Sequence, residues 1–169
     1  MRFLRLRVEL GLNIIVNNTA ASAEDIRKKA IELLARREHA PAELRIKLQR
    51  RGFDSIIIES TLDVLIDEDL LSEERYVESY VATHIARGRG PSRLRSELRQ
   101  RDIGDALIAC YLGQSQGFWN ERVRIVRDKK FGCAPPTDYK ERVKQARFLQ
   151  SRGFTTEQIN WVLNQDGDD

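Results

Sequence analysis

Leu48-Gln49-Arg50-Arg51-Gly52-Phe53, Leu98-Arg99-Gln100-Arg101-Asp102-Ile103 and Leu149-Gln150-Ser151-Arg152-Gly153-Phe154 are three versions of one helix ending. Their anchors, Phe53, Ile103 and Phe154, lie 50 and 51 residues apart. Each anchor has Leu five places before it and Arg two places before it, then Ile five places and Leu nine places after it. Pro41 and Pro91 repeat the 50-residue offset independently. Self-similarity at a fixed period marks stacked supersecondary units, none of which can bury its apolar face alone. Such stacks act as extended surfaces more often than as catalytic pockets.

Working outward from the anchors predicts nine helices in three triplets, with room for a strand only near the amino terminus. Helix one spans Ser22 to Arg37, with Ile26, Ala30, Ile31, Leu33 and Leu34 at helical spacing and Ser22 as N-cap. Pro41 suits the first turn of helix two, which places Leu44 and Leu48 inward and ends at Gly52. Asp54 or Ser55 caps helix three through Ile56, Ile58, Leu62, Leu65 and Ile66. Ser72 starts helix four, with Tyr76, Tyr80, Val81 and Ile85, up to Gly88. Pro91 starts helix five, with Leu94 and Leu98 inward, and Ala106 to Leu112 is helix six. Asp102 stands where the other copies have Gly, a replacement that Asp tolerates better than most residues in a left-handed turn.

The third triplet is looser. After a Gly/Gln/Ser connector at 113–117, helix seven runs from Phe118 to Phe131, and Gly132 to Pro136 is a linker. Thr137 or Asp138 caps helix eight, through Val143, Ala146, Phe148 and Leu149. Thr155 or Thr156 caps helix nine, with Ile159, Val162 and Leu163. Asp166, Asp168 and Asp169 make a frayed acidic tail. The expected fold class is all-α, three tandem three-helix repeats in an elongated curved array. The segments are 1–21 as leader, then repeats at 22–71, 72–113 and 114–169.

Composition agrees with a solvated helical protein. Charged residues make up 33% of the 169, with 29 basic against 26 acidic and a net charge of +3. With four prolines and ten glycines, the chain is poorly suited to an all-β fold with many tight turns. Cys110, in an apolar stretch, is expected to be a buried reduced thiol, and Cys133 a free thiol in a loop. Both suit a reducing cytoplasm. Glu9 and Asn13 interrupt the apolar residues of Met1 to Val16, so this segment is read as a leader and not as a signal peptide. No stretch has the length of a membrane span.

Catalytic chemistry finds little to stand on. His39 and His84 read as packed or capping side chains, and Gly88-Arg89-Gly90-Pro91 follows a helix and lacks the Lys-Ser/Thr ending of a phosphate loop. Asp67 and Asp69 read as turn and cap residues. The basic clusters say more. Arg87, Arg89, Arg93, Arg95, Arg99 and Arg101 crowd the middle copy, offset by Glu97 alone before Asp102. Arg95 and Arg99, four apart, share a face and are expected to project together unpaired along it. Glu97 is placed to pair with Arg93 and Arg101. Arg45, Lys47, Arg50 and Arg51 echo the cluster in the first copy, and Lys144, Arg147 and Arg152 in the third. A salt-bridged solvated surface accounts for such runs equally well. The planar fork of Arg suits both an acidic protein groove and a nucleic-acid backbone. Tyr76, Tyr80, Trp119 and Trp161 read mainly as packing residues.

Motifs in order carry a resemblance. Ala35-Arg36-Arg37-Glu38-His39, Glu43-Leu44-Arg45-Ile46-Lys47-Leu48, Asp69 to Tyr76, Arg87 to Leu98 and Arg147 to Phe154 together resemble the RecX family of bacterial regulators of the recombinase RecA. The resemblance implies a small cytoplasmic protein that lies in the groove of the RecA–single-stranded DNA filament. It implies restraint of filament growth, ATP hydrolysis and strand exchange, and so of the SOS response, without catalytic residues or cofactor. It maps a basic face onto Arg36, Arg37, Arg45, Lys47, Arg89, Arg93, Arg95, Arg99, Arg147 and Arg152. Direct, sequence-independent DNA binding is the alternative. Asp102 departs from the family's usual glycine, and Met1 to Ala21 has no clear family counterpart.

Overall fold

The computed structural model describes residues 23–164. The leader, the Ser22 cap and the acidic tail lie outside the described residues. Those residues form nine α-helices and no strand: α1 at 23–34, α2 Pro41–Gln49, α3 Ser55–Asp67, α4 Glu73–Ala86, α5 Pro91–Arg99, α6 Asp105–Leu112, α7 Gln116–Phe131, α8 Tyr139–Arg152 and α9 Thr156–Asn164. None of them is long and apolar enough to cross a membrane. The chain divides into two compact units, one ending at Tyr76 and the other beginning at Val77.

The repeated helix ending has a geometric cause. Gly52, Asp102 and Gly153, each one place before its anchor, adopt positive φ of 82°, 64° and 91°. That left-handed residue reverses the chain after α2, α5 and α8. In the later two copies the anchor N–H then donates to the carbonyl of the Leu five places back, Ile103 to Leu98 and Phe154 to Leu149, both at 3.2 Å. One leucine therefore serves twice. Its side chain is buried, and its carbonyl closes the turn.

Caps follow the expected chemistry. The Asp54 carboxylate accepts from the Ile56 N–H at 2.9 Å, and Asp138 accepts from Glu141 at 2.7 Å. At α9 the Thr155 hydroxyl accepts from the Gln158 N–H while the Gln158 side chain accepts from the Thr155 N–H, a reciprocal capping box. Helices α2 and α5 begin instead with proline, after Ala40 and Gly90. Helix α7 starts two residues earlier than expected, because Ser115 caps it through the Phe118 N–H.

In the first unit, Ile26, Ala30, Leu44, Leu48, Ile58, Leu62, Leu65 and Leu71 form one buried cluster. In the second, α5 packs on α6, while α7, α8 and α9 pack on one another. Leu94, Leu98, Ile108 and Leu112 are buried there, as are Trp119, Val123, Leu149, Ile159, Val162 and Leu163.

Three expectations are corrected. Ile31, Ile56 and Ile66 are exposed, Ile56 by 81%, because Ile26/Ala30 and Ile58/Leu62/Leu65 already define the buried faces of their helices. Cys110 is exposed, not buried. Ile108 and Leu112 occupy the inner face of α6, and a residue midway between them points the other way. Helix α1 ends three residues before Arg37, its last turn tightening as the Arg36 N–H reaches back to Leu33.

Candidate interaction surface

In the first unit Arg37, Arg45 and Lys47 are held by carboxylates. Arg37 and Lys47 both reach Glu43, Lys47 at 2.9 Å. Burial pushes the Glu43 carboxyl up, but the hydrogen bonds from Arg37 and Lys47 outweigh it and hold the group at about 2. His39, only 2% exposed, sits behind this pair. Its Nδ1 meets the Arg37 carbonyl at 2.9 Å and its Nε2 meets the Lys47 ammonium at 2.9 Å. Lys47 can only donate, so the ring is neutral with its proton on Nδ1. Burial accordingly lowers its pKa. Arg45 grips Glu59 of α3 with two parallel bonds, at 2.6 and 2.8 Å. Arg36 is exposed.

In the second unit Glu97 is the hub. Its carboxylate takes Arg93 at 2.9 Å, the Tyr80 hydroxyl at 2.7 Å and Arg89. Arg101 does not join the carboxylate as expected. It donates to the Glu97 backbone carbonyl at 2.6 Å and lies over the Tyr80 ring. The Tyr80 phenol, half-buried and bound to a carboxylate, is pushed up to about 12. Arg99 does not stand unpaired either. Asp105, at the start of α6, holds it at 2.7 Å. Arg95 and Arg99 still line one shallow depression, together with Ser92, Ser96 and Gln100. Arg95 and Arg147 project into solvent. Arg152 lies over the Phe148 ring, 5.1 Å from its centroid.

Family models for RecX match the chain in three consecutive pieces: the first three-helix domain over residues 27–65, the second over 72–112 and the third over 120–163. The chain belongs to the RecX family. The regulatory protein RecX of Halorhodospira halophila is 42% identical over 144 residues, covering 85% of this chain and 89% of that one. Its counterpart in Pseudomonas putida is 45% identical over 139 residues, covering 82% and 89%. A crystal structure of RecX from Lactobacillus salivarius superposes with a TM-score of 0.72 at 20% identity, covering 86% of this chain and 97% of that one. A second crystal structure, of regulatory protein RecX, gives 0.75 at 22% identity, with coverage of 89% and 75%. At those identities the two structures establish the shared fold.

Within this RecX fold the basic residues of the expected face, apart from Arg152 over Phe148, fall into two groups. Arg37, Arg45, Lys47, Arg89, Arg93 and Arg99 each hold a carboxylate. Arg36, Arg95 and Arg147 are exposed, and Arg95 sits close enough to Asp105 to lower its pKa after Arg99 has done so. Asp102, which stands where the other two copies have Gly52 and Gly153, keeps the left-handed turn at φ 64°. Arg127 is a buried basic residue of a different kind. It is 4% exposed and donates to the Val162 carbonyl at 3.1 Å and the Cys133 carbonyl at 2.9 Å, tying α7 to the end of α9. Nothing in its spacing separates it from neighbouring surface arginines of α7.

Proposed function

We propose that this RecX-family protein binds the RecA filament assembled on single-stranded DNA and inhibits it by occupancy. It restrains ATP hydrolysis, strand exchange and filament extension in the cytoplasm, and so modulates DNA repair and the SOS response. The observation that carries this reading is the ordered match of three RecX domains over residues 27–163, together with relatives named as regulatory proteins. Exposed Arg36, Arg95 and Arg147 support it, because guanidinium forks recognise both carboxylates and phosphates. A repeat protein that touches several protomers gains avidity for the polymer over the isolated subunit.

The test is a comparison of binding to RecA-coated and bare single-stranded DNA at two salt concentrations. Tight binding to the filament with weak, steeply salt-dependent binding to bare DNA is expected. Equal affinity for both would replace this reading with direct DNA binding.

A further inference from the structure

The second unit contains a cleft of about 340 Å³ between the end of α4, the outer face of α7 and the last turns of α8. Five cations ring it: Arg87, Arg122, Lys129, Lys130 and Arg152. Its floor is apolar, made by Ile85, Ile125, Val126 and Phe148, and Ile125 is 44% exposed. Among the described residues no carboxylate lines it. Gly88 lets the floor form, since a Cβ there would stand 2.9 Å from the Val126 side chain.

The charge state of this ring differs from that of the basic residues around Glu43 in the first unit and around Glu97 in the second. There, Arg37, Lys47, Arg89 and Arg93 are each matched by a carboxylate within the fold. Here, none of the five cations makes an ion pair among the described residues. The acidic residues of α7 are committed elsewhere, Glu121 to Arg124 at 2.8 Å and Asp128 to Arg127 at 3.1 Å. A ring of like charges around an exposed aliphatic floor is unfavourable when empty and is relieved by an anionic ligand with an apolar part.

Two classes of polyanion carry apolar parts. Single-stranded nucleic acid presents flat bases and is held by open aromatic faces on which they stack. The cleft offers none: Phe148, its single aromatic, has Arg152 over its ring and meets Phe131 edge-on at 5.3 Å. The rest of the floor is aliphatic, which suits a leucine, isoleucine or phenylalanine side chain. We infer that this cleft is a docking site for an acidic protein segment, one whose carboxylates meet the five cations while one or two apolar side chains enter between Ile85, Ile125 and Val126. Arg122, Lys129 and Lys130 belong to α7, whose role is then distinct from that of the Glu97 hub. The inference concerns the chemistry of the bound segment and stands apart from the filament reading.

The test uses the full chain and a fluorescein-labelled heptapeptide alternating glutamate with leucine and phenylalanine, followed by fluorescence anisotropy. Two controls are a peptide with serine at the apolar positions and an oligothymidylate of equal charge. Binding of the first peptide is expected, weakened about 10-fold in Lys129→Glu/Lys130→Glu and about 5-fold in Ile125→Ser. The serine peptide should bind about 10-fold more weakly. These three residues are on the surface or half-exposed, and unchanged helical circular dichroism and melting establish that the variants fold. Absence of peptide binding overturns the inference, as does peptide binding that neither variant changes. Equal binding of the two peptides removes the apolar anchor and overturns it. Tighter binding of the oligothymidylate, lost in the double variant, assigns the cleft to nucleic acid instead.

Discussion

Gly90 and Gly153 meet backbone to backbone, joining the start of α5 to the end of α8. The Gly90 N–H donates to the Arg152 carbonyl at 2.9 Å, and the Ser92 N–H donates to the Gly153 carbonyl at 3.0 Å. The unsatisfied donors of one helix start thus meet the unsatisfied acceptors of another helix end. A side chain at either position has no room. A Cβ on Gly90 would stand 2.4 Å from the Gly153 carbonyl oxygen, and one on Gly153 would stand 2.2 Å from the Arg93 Cβ.

Gly90→Ala should therefore destabilise the second unit by about 2–3 kcal/mol. Gly52→Ala is the control. It has φ of 82° but nothing within 4 Å, so only backbone strain of about 1 kcal/mol applies. Urea denaturation followed by circular dichroism separates the two; equal losses would mean that the close approach costs nothing.

Glu97 should be the most sensitive carboxylate of the second unit. Its loss leaves Arg89, Arg93 and the Tyr80 hydroxyl without their shared acceptor. Glu97→Ala should cost about 2–3 kcal/mol. In ultraviolet titration one tyrosine of the intact protein should ionise near 12, held up by burial and by Glu97. In Glu97→Gln that midpoint should move down towards the ordinary value of 10.

Stability should fall in two stages as the solution is acidified. The neutral His39 ring is favoured in the fold, its pKa lowered by burial from 6.5, so the unfolded chain binds more protons from about that pH downward. His84 is lowered for the same first cause and adds to this limb. Glu43 acts lower, between 4.5 and about 2, where it stays ionised in the fold but is protonated in the unfolded chain. Melting temperature should be flat between about pH 7 and 9, decline below 6.5 and drop further below 4.5. His39→Gln should shrink the first stage and leave the second in place.

Much of this fold could be read from the Leu-to-anchor pattern, because that pattern encodes local geometry. The left-handed residue and the leucine whose carbonyl closes the turn lie within six residues of each other. The caps Asp54, Asp138 and Thr155 are local too. Burial is not legible locally where it depends on what is already packed. Ile56 and Cys110 are apolar in a run of apolar residues, yet the inner faces of α3 and α6 were filled by others. The candidate interaction surface is less legible. Glu43–Lys47 and Arg93–Glu97 can be seen at helical spacing, but Arg45–Glu59 and Arg99–Asp105 join different helices. The cleft of α4, α7 and α8 gathers cations from three separated segments, so no single window of sequence displays it.

Charge reversal at Arg95 and Arg99 tests the middle strip. Both are exposed, and the Arg99–Asp105 pair is solvent-accessible and screened, so its loss should leave stability almost unchanged. Arg95→Glu/Arg99→Glu should stay fully helical while inhibiting the recombinase about 10-fold less well. A helical double variant that inhibits like the unaltered protein would place the contact elsewhere.

The most direct measurement is titration of the protein into a RecA ATPase assay driven by single-stranded DNA. The account predicts a saturable fall in ATP hydrolysis, with an amplitude that shrinks at higher salt. ATP hydrolysis that stays constant at concentrations where the protein is bound to the filament would contradict it.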